Sequence, residues 1–322
     1  MSVDKPSPGE ISPDEAFTVL ADETRLGILR TLGDAGGPLS FSELFERIEY
    51  DDSANFSYHL DKLDDHFIQH TDDGYDLREA GRRIVEAVLS GVVTDTSVVE
   101  PTTIDEPRPF CETPIAVSFH QEHVDMFCPA CAGTYGRVGA TEKRDIPADY
   151  GHLGAVHLPP AGIHHRSAVE MMQAALTWGN LEVLAVSSGV CPRCSAQLDE
   201  SVTVCAMHDR ADGLCQDCGK RHAAQVRYRC PVCNFKESGG FWNALWAETA
   251  FLSFLTDHGI NPIAPSPRCY SMIVSSFEEE VCSVEPFEGR FTFTIDSESL
   301  TLTVDEELDV GAVTRYTIGQ KQ

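Results

Sequence analysis

CPRCSAQLDESVTVCAMHDRADGLCQDCGKRHAAQVRYRCPVC, residues 191–233, holds seven of the chain's twelve cysteines in 43 positions. Three CxxC pairs occur here, Cys191/Cys194, Cys215/Cys218 and Cys230/Cys233, and a fourth pair of the same spacing ends in histidine, Cys205/His208. One CxxC is common to redox enzymes and metal knuckles. Two of them separated by eleven residues, with the alternating segment QVRYRC between, are the pattern of a zinc ribbon, in which two turns bring four thiolates around one tetrahedral ion. The order along the chain predicts two adjacent closed sites, Cys191/Cys194/Cys205/His208 and Cys215/Cys218/Cys230/Cys233. Spacing also leaves an interleaved pairing open, the 191 pair with the 215 pair and Cys205/His208 with the 230 pair. Gly219, just after a knuckle, suits a tight turn. Four protein ligands leave no position for a reacting water, so these sites read as structural rather than catalytic.

Upstream, Cys128 and Cys131 form one more CxxC, and Cys111 offers a third thiolate. His120 or His123 is the candidate fourth ligand of a possible third zinc site. Cys269 and Cys282 lie in apolar or strand-like contexts and read as buried cysteines. Arg227, Tyr228, Arg229, Arg221 and Lys220 make the ribbon the most basic part of the chain, a candidate contact for nucleic acid or polymerase. His164/His165 and His152/His157 form no spacing that defines a site.

The whole chain is strongly acidic, with 51 Asp and Glu against 24 Lys and Arg and a net charge of -27. The charge is spread along the 322 residues, and a hydrophobic fraction of 42% excludes disorder as its explanation. An anionic folded surface of this kind fits a salt-rich cytosol, where screening lengths fall to about 3 Å at 1 M. A halophile protein is therefore expected. MSVDKPSPGE lacks the basic start and apolar run of a secretory signal, and no stretch approaches the roughly 20 apolar residues of a membrane helix. The expected location is cytoplasmic, where cysteines serve as metal ligands more often than as disulfides.

Toward the N-terminus the hydrophobic period is helical. After a Pro- and Ser-rich arm, 1–12, residues 13–91 place Phe17, Leu20, Leu26, Ile28, Leu29 and Leu32 on two helices separated near Asp22 to Thr24. Ser40, with Glu43 three residues on, caps a third helix reaching Ile48. Ser53 is expected to cap a fourth, in which Phe56, Leu60 and Leu63 recur at i, i+4 and i+7. Phe67 to Leu77 reads as a hairpin around Asp72-Asp73-Gly74, and Arg78 to Leu89 as a last helix.

That order resembles a winged helix-turn-helix. AFTVLADETRLGILRTL, FSELFERI and SANFSYHLDKL together resemble the N-terminal domain of ArsR-like transcription regulators. The resemblance implies a DNA-binding regulator, not an enzyme, that dimerises through the helices at 13–21 and 78–89, with SANFSYHLDKL as recognition helix on double-stranded DNA. Phe56, Leu60 and Leu63 then face the core. Ser53, Asn55, Ser57, Tyr58, His59 and Lys62, with His70 in the wing, are the DNA-binding candidates; Arg25, Arg30 and Arg47 are further phosphate partners. Asp64 and Asp65 lie about 10 Å or more along the helix from its N-terminal residues, which keeps their charge from the duplex. In concentrated salt, counterion release adds little to affinity, so neutral side chains and helix N-terminal amides carry more of the recognition. The metal-binding cysteines that some family members carry on the helix corresponding to FSELFERI are missing here.

Residues 92–109, VVTDTSVVEPTTIDEPRP, read as a linker. Residues 110–160 are expected to form a Cys-containing β-hairpin, and 161–240 a helix from Arg166 to about Val186 followed by two zinc ribbons. In 241–322, Phe241 to His258 is expected as a helix; RFTFTID, a turn at Ser297-Glu298, LTLTVD and VGAVTRYTI are expected to form a small antiparallel sheet. The fold class is thus α+β and multidomain, a layout similar to large ArsR-like regulators of salt-loving archaea. Two other functions stay open. A winged helix joined to a zinc ribbon also resembles the alpha subunit of archaeal transcription factor E (TFE), which would act on RNA polymerase. CxxC pairs that lose zinc on oxidation would make a redox switch.

Overall fold

The computed structural model describes residues 11–106, 110–111, 113–137, 149–209, 213–275 and 277–318. The expected N-terminal arm lies, up to residue 10, outside them. The chain divides into two compact units, residues 1–95 and 96–322, and is mixed α+β with small antiparallel sheets.

The first unit runs α1 (Pro13–Leu20), α2 (Glu23–Ala35), α3 (Phe41–Arg47), α4 (Ser53–Leu63), β1 (Ile68–Thr71), β2 (Gly74–Leu77) and α5 (Glu79–Leu89). Its helix starts are chemically marked. Ser12 and Ser40 each accept the amide three residues on, while Glu15 and Glu43 reach back to the cap amides, closing two capping boxes. α4 corrects the expected cap: Asp52, not Ser53, sits in the extended cap position, and its Oδ1 accepts the amides of Ala54 and Asn55 at 3.0 and 3.1 Å. Ile28, Leu29, Leu44, Phe56, Leu60 and Leu63 fill one core, with Phe56 ringed by Phe41, Phe45 and Tyr50 at 5.3–5.5 Å. Leu39 and Tyr75 exchange backbone hydrogen bonds of 2.8 and 3.0 Å, which adds a bridge to the β1–β2 hairpin. Gly74 is needed there. Its φ is +125°, and a Cβ would stand 2.4 Å from the Leu39 carbonyl oxygen.

Among the described residues, the second unit holds three sheets. β3 (Val99–Ile104), β4 (Ile115–His120), β5 (His123–Cys128) and β6 (Gly151–His157) form an antiparallel meander. So the stretch expected as a linker contributes an edge strand, and the expected hairpin at 110–160 is part of four strands. α6 (Ala168–Val186) starts at a Ser167/Glu170 capping box and packs Met171, Met172, Ala175 and Leu176 on the meander. β7 (Asp199–Val204), β8 (Ala224–Arg229) and β9 (Lys236–Gly240) form the second sheet, antiparallel throughout.

The expected single helix at Phe241–His258 is instead a short 3-10 turn at Phe241–Asn243 and a separate α7 (Thr249–Asp257). The Glu248 carboxylate accepts the Ala250 amide and begins α7 anew. α8 (Pro267–Ser275) follows. The last sheet, β10 (Phe277–Val284), β11 (Phe287–Ile295), β12 (Glu298–Asp305) and β13 (Val310–Thr317), contains the three expected strands plus β10. Its two-residue turn is Asp296-Ser297, one position earlier than expected. Three consecutive glutamates masked β10, and one of them points inward: Glu279, with a side chain 3% exposed, accepts the backbone amides of Ala223 and Ala224. Phe291 stacks between Phe241 and Phe277 at 4.1 and 5.7 Å in the core of this sheet.

Candidate metal centres and the outer face of the fourth helix

Each CxxC of the 191–233 stretch builds the same turn. The amide of the first cysteine donates to the carbonyl five residues on: Cys191 to Ala196 at 2.9 Å, Cys215 to Lys220 at 2.9 Å, Cys230 to Phe235 at 2.8 Å. The residue directly after the second cysteine is left-handed in all three, Ser195 (φ +60°), Gly219 (φ +67°) and Asn234 (φ +61°). Glycine and asparagine take that conformation readily, and the serine accepts a modest strain. Folding back in this way points both sulfurs and the local amides at one spot. The Val232 and Cys233 amides each donate to Cys230 Sγ at 3.4 Å.

Two four-ligand groups result: Cys191, Cys194, Cys230 and Cys233, and Cys205, His208, Cys215 and Cys218. The ligand atoms of each lie within 4.8 Å of one another. This overturns both pairings that spacing offered. The cause is the β7–β8 ladder, which pairs Asp199 with Arg229 and Val204 with Ala224. The cysteines before β7 therefore meet those after β8 at one end, and the ligands between the strands meet one another at the other. The sites are nested, one at each end of a single three-stranded sheet.

Both groups fit a thiolate-binding metal ion. Cys191 and Cys233 sulfurs are 3.6 Å apart, Cys194 and Cys230 3.5 Å, and Cys205 and Cys215 4.0 Å. His208 turns Nδ1 to Cys218 Sγ at 3.5 Å, while Nε2 lies 3.2 Å from the Arg221 carbonyl oxygen. Donation from Nε2–H to that carbonyl leaves Nδ1 free as a ligand, the arrangement that orients metal-binding histidines. The Cys218 amide, with that of Asp209, holds the Cys215 thiol down to about 6. The Cys233 amide holds Cys230 down to about 7. Such thiols give up the proton that metal binding displaces.

Cys111, Cys128 and Cys131 form a third group, with the first two sulfurs 3.4 Å apart. Burial pushes the Cys128 thiol up, but the amides of Cys131 and Ala130 outweigh it and bring it to about 7. Neither expected histidine joins. His120 and His123 face each other at the tip of the β4–β5 hairpin, and Cys128 ends β5, so five residues of strand, about 17 Å, separate them. Among the described residues this group has three ligands. Cys269 is half-buried and Cys282 is exposed, which corrects the expectation that both are buried.

On α4, Phe56, Leu60 and Leu63 are buried as expected, and Ser53, Asn55, Ser57, Tyr58 and Lys62 are exposed. Asn55 donates to the Tyr50 hydroxyl at 2.7 Å, and Lys62 stands 5.5 Å from the centre of the Tyr58 ring. His59 does not share this face. It is buried, with Nε2 3.3 Å from the Tyr50 hydroxyl and Nδ1 3.5 Å from Asp22, so it supports the core and is withdrawn from any ligand of the helix. His70 is exposed and stacks on Tyr75 at 4.5 Å. Arg30 and Arg47 are exposed, whereas Arg25 is held at Asp22, 3.6 Å away. In the basic stretch, Arg227 and Arg229 project outward from β8, Tyr228 is buried between them, and Arg221 lies on the Phe110 ring at 4.0 Å.

Spacing did not reveal a cavity of about 500 Å³ in the second unit, lined from β5, β6, α6, β9, the 3-10 turn at Phe241–Asn243 and α8. At its edge His157 stands 3.2 Å from both Glu122 and Glu182, and Arg193 pairs with Glu182 at 2.8 Å. Burial opposes charge on His157, but the two carboxylates outweigh it and raise its pKa. These residues are scattered over the sequence, and only the fold assembles them.

Among the described residues no helix is long and apolar enough to cross a membrane. The architecture is that of a two-unit α+β chain whose second unit carries thiol-rich groups able to hold metal ions. Residues 13–88 match a family model described as a domain of unknown function (DUF7347), and residues 105–310 match a second, also described as a domain of unknown function (DUF7351). The second match spans more than half of the chain, which therefore belongs to the DUF7351 family. No curated protein and no solved structure matches it.

Proposed function

We propose that this chain is a DNA-binding transcription regulator of the ArsR-like winged-helix type, with zinc ions structuring its second unit. The observation that carries this reading is the outer face of α4: Asn55, Ser57, Tyr58 and Lys62 stand exposed at and beyond its start while Phe56, Leu60 and Leu63 anchor it from behind. A helix so held, preceded by α3 and followed by the β1–β2 hairpin, has the element order of a winged helix-turn-helix. Its exposed residues are hydrogen-bonders suited to base edges and phosphates. Asp64 and Asp65 fall at the far end of the helix, where Asp64 is its C-cap. Exposed Phe17 on α1 and Leu89 on α5 support pairing of two copies through those helices.

Zinc is favoured by donor type and by spacing. Metal–sulfur bonds of about 2.3 Å at tetrahedral angles place sulfurs about 3.8 Å apart, and a sulfur and an imidazole nitrogen about 3.6 Å apart. The separations of 3.5–4.0 Å in the two four-ligand groups agree. Bound there, zinc would supply cross-links between the turns at each end of the β7–β9 sheet.

The test is selection of duplexes from a random pool by the full chain in molar potassium chloride, followed by footprinting. Protection of one or a few operators supports a regulator. A second reading, a TFE-like factor acting on RNA polymerase, is favoured by Arg227, Arg229 and Lys236, exposed on neighbouring strands of one sheet. It predicts comigration with polymerase and no protected operator.

A further inference from the structure

The cavity in the second unit is unevenly charged. Its basic groups already face acids: His157 lies between Glu122 and Glu182, and His152 is 3.4 Å from Asp125. His123 is exposed, with Nδ1 at 2.8 Å from the Gln121 carbonyl oxygen. Lys236, the one lysine of the lining among the described residues, is exposed and by strand alternation leaves β9 on the face opposite Glu237. Glu237 is different. It is half-buried on β9, and among the described residues no basic side chain comes within 4.0 Å of its carboxylate.

A second acceptor stands close by. The side chain of Asn243 packs against Gly239, two residues from Glu237 on the same face of β9; a Cβ on Gly239 would lie 2.1 Å from Asn243 Nδ2. Asn243 is 93% buried and lines the cavity, yet its Oδ1 has no hydrogen-bond partner among the described residues. A buried acceptor left unpaired is costly, and a polar ligand would satisfy it. Asn180, Glu182 and Ser238 add polar groups to the wall, and aromatic and aliphatic side chains supply its apolar part. Trp242 meets Tyr270 edge-on at 5.7 Å, and Leu176 and Val183 of α6 close the other side.

We propose that this cavity binds a small organic ammonium, its charged nitrogen donating to the Glu237 carboxylate and Asn243 Oδ1 and its apolar body lying against Trp242 and Tyr270. The volume of about 500 Å³ falls within the range of small-molecule sites. An aromatic wall is attractive to a cation and to hydrocarbon alike. A bare metal ion would leave most of that volume empty. An anion would meet the carboxylates of Glu237 and Glu182 with its closest cations already engaged. The assignment is independent of the DNA reading.

The test uses the full chain, loaded with zinc, in buffered potassium chloride. 2-Phenylethylamine and cyclohexylmethylamine are titrated against their neutral counterpart 2-phenylethanol and the acid 3-phenylpropionate. Binding is read by calorimetry and by the fluorescence of Trp242, one of three tryptophans. At least one amine is expected to bind at least 10-fold more tightly than the alcohol or the acid. Glu237→Gln is expected to weaken that amine at least 10-fold with melting temperature and metal content unchanged, and Asn243→Ala to weaken it to a lesser degree. Absence of binding by both amines, equal binding of the acid, or an unaffected E237Q variant overturns the proposal.

Discussion

Replacing Cys191 and Cys233 together by serine is expected to remove one equivalent of metal, and replacing Cys191 and Cys205 together to remove two. The numbers follow from the nested arrangement, in which Cys191 and Cys233 share a site, with sulfurs 3.6 Å apart, and Cys205 belongs to the other. The ladder between the sites pairs six residues of β7 with six of β8, so its ends are about 17 Å apart at about 3.4 Å per residue. That is several times the about 4.6 Å a single ion can span with two bonds of about 2.3 Å. Ligands therefore cannot be exchanged between sites without dismantling the sheet. The assay is native mass spectrometry of purified variants, checked by colorimetric zinc release with a mercurial. The third group contributes equally to every variant and cancels in the difference. Loss of two equivalents from C191S/C233S with one from C191S/C205S would restore the sequential pairing and refute the nested one.

Three further outcomes are expected. Asp52→Ala should lower stability by about 1 kcal/mol because α4 loses the acceptor for two amides, whereas Ser53→Ala should change it little, as read by hydrogen exchange of α4 amides. Phe56→Ala should cost about 3 to 5 kcal/mol in urea unfolding of the first unit, since its fully buried ring touches three others. His157 carries a raised pKa in the folded chain, so it binds its proton more tightly there than when unfolded. Its contribution is fully present below about pH 6.5, the unfolded value, and is lost as pH rises through the higher folded value. Urea midpoints from pH 6 to 9 should therefore decline in the parent and flatten in His157→Gln.

Local chemistry was legible in the sequence wherever a signal was short-range. The Ser40/Glu43 box, the i, i+4, i+7 recurrence of Phe56, Leu60 and Leu63, and the alternation of β11 and β12 each involve residues within one element. The ligand residues of the two four-ligand groups were legible for the same reason, since a knuckle is a six-residue turn. Their partners were not. Which pair meets which depends on β8 folding back onto β7, and the 191–233 spacing is compatible with all three pairings. His120 and His123 failed as ligands because adjacency in sequence placed them near Cys128, while the hairpin turned them to its opposite end. His59 keeps the polarity of a DNA reader but lies one position around the helix from Tyr58, which is enough to bury it. The cavity around Glu237 had no local signature at all, because its walls come from elements spread between β5 and α8 along the chain.

The central claim is that neutral side chains at the front of α4 read a duplex. Its most direct test is operator affinity of the full chain in molar potassium chloride, parent against the triple variant Asn55→Ala, Ser57→Ala, Tyr58→Ala, with folding verified by an unchanged melt. Each base contact contributes about 1 to 3 kcal/mol of discrimination, so affinity should fall by at least about 100-fold. Undiminished operator binding by the triple variant would contradict the account.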